Sequence, residues 1–461
     1  MGTPYFSHIP FLTNQPMYLT TTPHINGLGF ILAVFFITGG LVPLWSQQPQ
    51  ERVYADAQTN NDCALCLTID VANEGRAVDG DKDTYSTLSI TVLGQVWQKL
   101  DFTSQQPGPD DPVHVKIGTS TGLASLATSL KFQAYNGNTP VGVEVALGSL
   151  IGLLNGADQA DIVLPAPDVP YNSVRVLYDG VALGGGINIY GAYFNEPGDS
   201  IACDMAEDIL WGSEASLAGG VNAVNNPQNA IDGDESTFAE LNATVSVEGK
   251  TYVTALYPSV SVAGDSVRLV FRNPGGLIDL GLLSSSFVLR TYLDNQDNGA
   301  LDLDSDILRL SLLSGSSDIQ VLTFPVQTPF NRIEVAIGEG LATALASLHV
   351  YEIQRIAKGP GITSPQMTEG VVYSCFGDEV TLNIDQPLAG SVYTWYTAPT
   401  GGAPVATGTS YIPDTTVPGS AFFYASETRE GCTNESGRTP VELIVFPAYG
   451  NPDIVIGNTT N

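Results

Sequence analysis

The sequence predicts an all-β chain: two duplicated antiparallel β-sandwiches followed by a third sandwich of a different kind. Three observations carry this. Segments about 150 residues apart repeat in the same order. Runs such as SVRVLYDG and RIEVAIGEG alternate apolar and polar residues and stop at turn residues, the mark of half-buried strands. The 48 Gly and 29 Pro supply turns, and no stretch sustains a capped helical period.

Length and charge bound the rest. A chain of 461 residues is too long for one ordinary domain, and 43% apolar content is enough to bury several cores. The 17 basic residues stand against 48 acidic ones, a net charge of -31. Phosphate recognition needs Lys and Arg, so nucleic acid is excluded as a partner, as is an anionic membrane surface. The balance fits a soluble extracellular chain whose copies repel one another.

Residues 1–47 are set apart. Gly27 to Trp45 is an uncharged apolar run, followed at once by SQQPQER. It reads as a secretory signal, cleaved near Ser46-Gln47 or after Ala55, or as a retained anchor, since it is long enough to span a bilayer. No membrane insertion is expected of the mature chain.

The repeat defines the next two modules. AVDGDKDTYSTLSITV (77–92) returns as AIDGDESTFAELNATV (230–245). Val115-Lys116-Ile117 parallels Val267-Arg268-Leu269, and KFQAYNGN parallels VLRTYLDN. Pro170 to Val176 parallels Pro329 to Val335, and INIYGAYF parallels LHVYEI. The period exceeds the roughly 20–50 residues of a solenoid repeat, so each copy is a domain. The expected spans are 48–198 and 199–357, parted by Glu196-Pro197-Gly198-Asp199 and Lys358-Gly359-Pro360-Gly361.

The third module spans 358–448. Its strands VTLNI, SVYTWY, SAFFYAS and VELIVF alternate with turn signals. Cys375, Trp395 and Cys432 follow the Cys-Trp-Cys order of an immunoglobulin-type sandwich, so a Cys375–Cys432 bridge is expected. It would close a loop of about 57 residues, worth roughly 3–4 kcal/mol. Tyr424 lies well ahead of Cys432, which places Cys432 beyond its strand, near a hairpin. Residues 449–461 read as the start of a further module, since NPDIVI resembles the GPGITS that enters the third one.

Five cysteines in an exported chain permit disulfides and leave one over. Besides Cys375 and Cys432 they are Cys63, Cys66 and Cys203. Either Cys63 and Cys66 bridge locally or one of them joins Cys203; the sequence does not choose.

One candidate site is shared by both copies. Asp79, Asp81 and Thr84 recur as Asp232, Asp234 and Thr237. Closely spaced carboxylates in a Gly turn suit a hard cation, and Ca²⁺ is the candidate cofactor. The competing reading is a tight turn in which Asp side chains cap backbone N–H groups. Other motifs are not shared. The acidic stretch from Asp294 to Asp306 has Ser305 where an EF-hand needs Glu, and it reads as a solvated hairpin. Gly118-Thr119-Ser120-Thr121-Gly122 matches a nucleophile elbow, but its duplicate has no Ser; no catalytic residue is assigned. Trp97, Trp211 and Tyr135 are candidates for a sugar platform by type, with core packing as the default.

CALCLTIDVANEGRAVDGDKDTYSTL resembles a module of large exported Bacteroidota proteins. TWYTAPTGGAPVATGTSYIPDTTVPGSAFFYASETREGC is similar to the Ig-like domain repeated in the same proteins. Such proteins leave by type IX secretion, and many are adhesins. The Ala-x-Asp-Gly-Asp-x-x-Thr pattern resembles a loop of discoidin-like, sugar-binding sandwiches, in which it holds structural Ca²⁺. There the loop is followed by Trp, where this chain has Tyr85 and Phe238. The resemblance implies jelly-roll or discoidin-like modules in a noncatalytic protein of the bacterial cell surface. Its role would be adhesion, ligand binding or that of a stalk, and its extracellular partner a glycan, a polymer or another surface protein. The alternatives are the accessory region of a larger secreted hydrolase and a self-assembling filament subunit.

Overall fold

The computed structural model describes residues 50–448 apart from 63–67, 120–122, 150–158, 182–185, 199–202, 214–222, 244–249, 280–281, 306–307 and 339–345. Cys63 and Cys66, Ser120 and the leader therefore lie outside the described residues. The described fold is all-β, with six sheets and three hydrophobic cores. Among the described residues no helix is long and apolar enough to cross a membrane.

The first sandwich pairs two sheets. One runs in the order Ile69–Ala72, Ser86–Ile90, Ile187–Pro197, Val113–Thr119, Gln159–Leu164, with Gln50–Tyr54 added beside Ile187–Pro197. The other runs Ala57–Asn60, Leu93–Asp101, Ser173–Val181, Leu130–Asn136, Thr139–Ala146. Alternation along the strands explains the layering. Val96, Leu100 and Phe102 point inward, and between the sheets they meet Val115, Ile117, Phe132, Val176 and Phe194.

Among the described residues the second sandwich repeats this topology, except that Gln50–Tyr54 has no counterpart in it and Arg309–Leu312 is added at its edge. Its sheets run Ala223–Asn225, Ala239–Asn242, Ser347–Ile356, Ser266–Arg272, Gln320–Pro325, Arg309–Leu312 and Asp208–Ser213, Lys250–Leu256, Arg332–Gly338, Val288–Leu293, Gln296–Ala300. Registers agree as well. Ser86 faces Ile189 as Ala239 faces Val350, and Tyr135 faces Ser173 as Tyr292 faces Arg332. Asn172 N–H donates to Tyr135 O (2.9 Å) while its Oδ1 accepts from Gly137 N (2.9 Å). Asn331 does the same at Tyr292 O (2.9 Å) and Asp294 N (2.8 Å). One expected match is corrected. Ile117 pairs with Ile189, whereas Phe271, not Leu269, pairs with Val350. The alignment slips by two residues, which leaves every side chain on the same face and so is invisible to an apolar pattern.

The third sandwich sets Gly361–Thr363, Leu382–Asp385 and Ser410–Tyr411 against a six-stranded sheet. That sheet runs Met367–Thr368, Val371–Cys375, Thr439–Phe446, Gly419–Thr428, Val392–Tyr396, Ala406–Thr407. Trp395 is its fully buried centre; its Nε1 donates to Gly408 O (3.0 Å) and its ring stacks on Tyr411. The expected Cys375–Cys432 bridge is not formed. Cys375 ends a strand that runs parallel to Thr439–Phe446 in the six-stranded sheet, not on the core strand Leu382–Asp385 of the other sheet, and its side chain is exposed and free. Cys432 lies beyond Gly419–Thr428, as the position of Tyr424 implies, and bonds to Cys203 at the entry to the second sandwich.

That bridge sits in a closed junction. Asp265, fully buried, accepts from Arg429 Nη1 and Nη2 (2.7 and 2.6 Å) and from Lys358 N (2.9 Å) and Val262 N (2.8 Å). Gly359 packs so closely that a Cβ there would meet Thr439 Oγ1 at 2.5 Å and Gly437 O at 2.6 Å. Within the linker Pro360 is buried and Gly359 is tightly packed, while Lys358 and Gly361 stay exposed. Alkylation of the native chain followed by peptide mapping is expected to label Cys375 and to leave Cys203 and Cys432 protected until reduction. The Cys203→Ser, Cys432→Ser double variant is expected to lose about 2–5 kcal/mol of stability in denaturant unfolding.

Candidate functional site

The shared Asp-Gly-Asp loops come first. In each, a short 3₁₀ turn (Glu74–Val78 or Pro227–Ala230) delivers the chain to a glycine at positive φ, Gly80 at 80° and Gly233 at 76°. In the first copy Asp79 Oδ1 accepts from Asp81 N (2.9 Å), and its Oδ2 accepts from Thr84 Oγ1 (2.8 Å). In the second, Asp232 accepts from Asp234 N (2.9 Å) and Thr237 Oγ1 (2.7 Å). Asp81 and Asp234 cap the next turn through Asp83 N and Ser236 N. The six residues thus meet as two Asx-capped turns.

What separates the copies is one residue that sequence comparison passed over. Glu352, on the closing strand, is fully buried against the second loop, where its Oε2 accepts from Gly233 N (2.9 Å). Its Oε1 has no partner, and burial raises its carboxyl to about 8. Both closing strands bulge at a tyrosine, Tyr190 or Tyr351, so the position of Glu352 in the first copy is Gly191. The donor set at the second loop is all oxygen: the Asp232 and Glu352 carboxylates and the Thr237 hydroxyl. It supplies three of the six to eight oxygens that Ca²⁺ takes, the first loop is one carboxylate short, and among the described residues no group of three or more His, Cys, Asp or Glu side chains is placed to hold a metal ion.

The platform candidates do not form a platform. Tyr135 is buried under Arg175, Trp211 packs against the second core, and Trp97 is half-buried. Just after the first loop, Tyr85 is exposed, at 37%, and tilts against Tyr190. Phe238, half-buried, takes the same place and stacks on His349.

The densest polar chemistry lies where the two duplicated sandwiches meet. Asp161, on the edge strand Gln159–Leu164, is 2% exposed. Its Oδ2 lies 2.9 Å from His114 Nδ1 and accepts from Arg332 Nη2 (3.0 Å) and the Tyr193 hydroxyl (3.1 Å). Oδ1 accepts nothing. Burial works to raise the Asp161 carboxyl. His114, Arg332 and Arg52 together outweigh it and hold the group well below the usual carboxylate range. The Asn295 amide donates to Asp161 O (3.2 Å) and accepts from Val163 N (3.1 Å), so a side chain from the second sandwich completes the edge strand of the first. A second cluster binds Asp208 to Lys116 Nζ (3.1 Å) and Arg52 Nη1 (3.3 Å), and Glu207 to Arg52 Nε (3.2 Å). Arg52 also lies 4.3 Å over the Tyr193 ring. A cleft of about 240 Å³ opens beside these groups. The available signal was charge inside apolar strands, Lys116 in VHVKIGT and Asp161 in QADIVL.

Comparison with known proteins adds a family match at the C-terminal end. Residues 363–447 match the model described as an Ig-like domain, CHU_C associated. No curated protein matches the chain. Among solved structures, chitosan-binding module 1 of a chitosanase/glucanase from Paenibacillus sp. IK-5 is 17% identical with a TM-score of 0.22, covering 31% of this chain and 95% of that one. CBM32-1 of a family 31 glycoside hydrolase from Clostridium perfringens is 15% identical with a TM-score of 0.21, covering 33% and 96%. The CBM32-1 and CBM32-2 domains of Clostridium perfringens ZmpB are 9% identical with a TM-score of 0.20, covering 67% and 94%.

Asp161→Asn leaves His114, Arg332 and Tyr193 around a neutral group. It is expected to cost about 3–5 kcal/mol in urea unfolding, as for a broken buried pair. The pH dependence follows from the lowered carboxyl. As pH falls through about 4 the unfolded chain takes up the proton first, so the contribution of Asp161 is complete above that pH and is lost below it. The variant is expected to show a flatter acid limb than the parent.

Proposed function

We propose that this chain is a noncatalytic binding segment of an exported bacterial surface protein. Its sandwich pair recognises an extracellular glycan, and the Ig-like module holds the pair at a set orientation. The observation that supports this best is the pair of closed junctions. Buried ion pairs and a disulfide fix one module against the next, an arrangement suited to presenting a binding surface at a distance from its attachment. The Ig-like match supports export by the type IX route as part of the same reading. A glycan array probed with the full chain tests the core of it: selective binding to a glycan class is expected, and an array silent at high protein concentration would overturn it.

Ca²⁺ enters the proposal as a structural cation of the second module only. Support comes from Glu352, a fully buried carboxylate with a bare oxygen beside Asp232 and Thr237, for which the first module offers Gly191. When bound, the cation supplies the positive charge that lets Glu352 ionise while buried. At 100-fold excess over its Kd, Ca²⁺ is expected to raise the melting temperature by about 5–10 °C. EDTA should reverse the shift. Glu352→Gln should abolish it and Asp79→Asn should leave it intact; equal loss in both variants would refute the asymmetry.

A further inference from the structure

The exposed aromatic side chains are unevenly distributed. Among the described residues five are exposed, Tyr85, Tyr373, Phe376, Phe422 and Phe446, and four of these belong to the Ig-like module. Three of the four share one face. Along Val371–Cys375, Thr439–Phe446 and Gly419–Thr428 the side chains of Val372, Leu443, Val445 and Phe423 enter the core, so Tyr373, Ile444, Phe446 and Phe422 stand on the outer side of the six-stranded sheet. Strand pairing makes them neighbours: Tyr373 lies opposite Ile444, and Phe422 lies opposite Glu442 on the same face. Tyr373 and Phe446 are 41% and 42% exposed, with ring centroids 6.2 Å apart and planes within 12° of parallel. A flat ligand lying along one ring therefore meets the other at the same tilt.

Charge complementarity selects the ligand. Glu442 is half-buried on the strip, where it accepts from Ser420 Oγ (2.6 Å). Glu369 precedes the strand of Tyr373, and Asp378 and Glu379 follow it; all three are exposed. None of the three strands carries a Lys or Arg, and Arg438, just ahead of Thr439, is engaged by Ala398 O, Gly401 O and the Tyr396 ring. An anionic polymer would meet carboxylates and no cation. A second copy would bring the same carboxylates and a net charge of -31. Aromatic rings beside carboxylates suit a ligand that joins apolar C–H surface to positive charge, because ammonium groups are drawn both to ring faces and to carboxylates. A sugar ring bearing a free amino group has both. We infer that this outer sheet face is a second saccharide surface, which packs amino-sugar units of an extracellular polysaccharide on Tyr373 and Phe446 and pairs their ammonium groups with Glu442. The inference goes beyond the reading above, which gives recognition to the sandwich pair and only a holding role to the Ig-like module.

The test uses the full chain and titration calorimetry, with a glucosamine hexasaccharide as the probe and its fully N-acetylated counterpart and hexalysine as comparisons. The glucosamine probe is expected to bind, more tightly than the acetylated one and less tightly as salt is raised. The Tyr373→Ala, Phe446→Ala double variant should weaken it about tenfold or more. Glu442→Gln, which keeps an acceptor for Ser420, should weaken it and flatten its salt dependence. Unchanged unfolding midpoints show that each variant is folded. Cys375, exposed and opposite Phe446, reports the place: bound probe should slow its alkylation. Undiminished binding in the double variant, or unslowed alkylation at saturation, would overturn the inference. Hexalysine that binds as tightly and is lost in the same variants would give the strip to a basic protein segment and overturn the saccharide assignment. A silent probe beside a selective glycan array overturns this inference alone, and an array signal that survives the double variant belongs to the sandwich pair.

Discussion

Asp161 is the group on which the arrangement of the duplicated sandwiches turns. It belongs to an edge strand, the part of a sheet that ordinarily must be hidden or blunted. Here the hiding is done by the second copy, through Arg332 on the carboxylate and Asn295 on the backbone. Taking such charges out of water is expensive, and a buried pair is weak evidence of stability in itself. Its effect is geometric: a carboxylate shared among His114, Tyr193 and Arg332 tolerates little displacement of one sandwich against the other. Lys116, Arg52 and Asp208 repeat the device a short distance away.

The junction with the Ig-like module follows the same logic with different parts. Asp265 is surrounded by two backbone N–H groups and a bidentate guanidinium, so a fully buried charge is left with no unsatisfied cost. The Cys203–Cys432 bond spans the same boundary. Sequence reasoning assigned Cys432 to Cys375 because Cys-Trp-Cys order is a property of one domain. It had no means to see a cystine that joins two. The displacement of Cys432 past its strand was legible from Tyr424, and that displacement is what frees it to reach outward.

The fold was readable because its signals are local. Period-two alternation, glycine turns and a repeated order of segments each survive without tertiary information, and strand order in the two copies then had to agree. Registers were readable only to within two residues, as Ile117 and Phe271 illustrate, because a slip of two preserves the face. The functional groups were harder. Asp79, Asp81 and Thr84 share a short loop and could be found together. Arg52, Asp161 and Glu207 are brought together only when two domains dock, and nothing in their spacing announces it.

Duplication made the copies comparable, and their differences carry the most information about use. A shared loop says only that the ancestor had it. Glu352 against Gly191 says more, because a buried carboxylate with a bare oxygen is a standing cost that packing alone does not remove, and Gly at that position would avoid it. The junction shows the complementary divergence. Asp161 and Lys116 in the first copy face Arg332 and Asp208 in the second, so each copy has acquired the charge its neighbour lacks. Two equal sandwiches have become unequal halves of one unit. Such a pair can hold a cleft between them that neither sandwich could form alone.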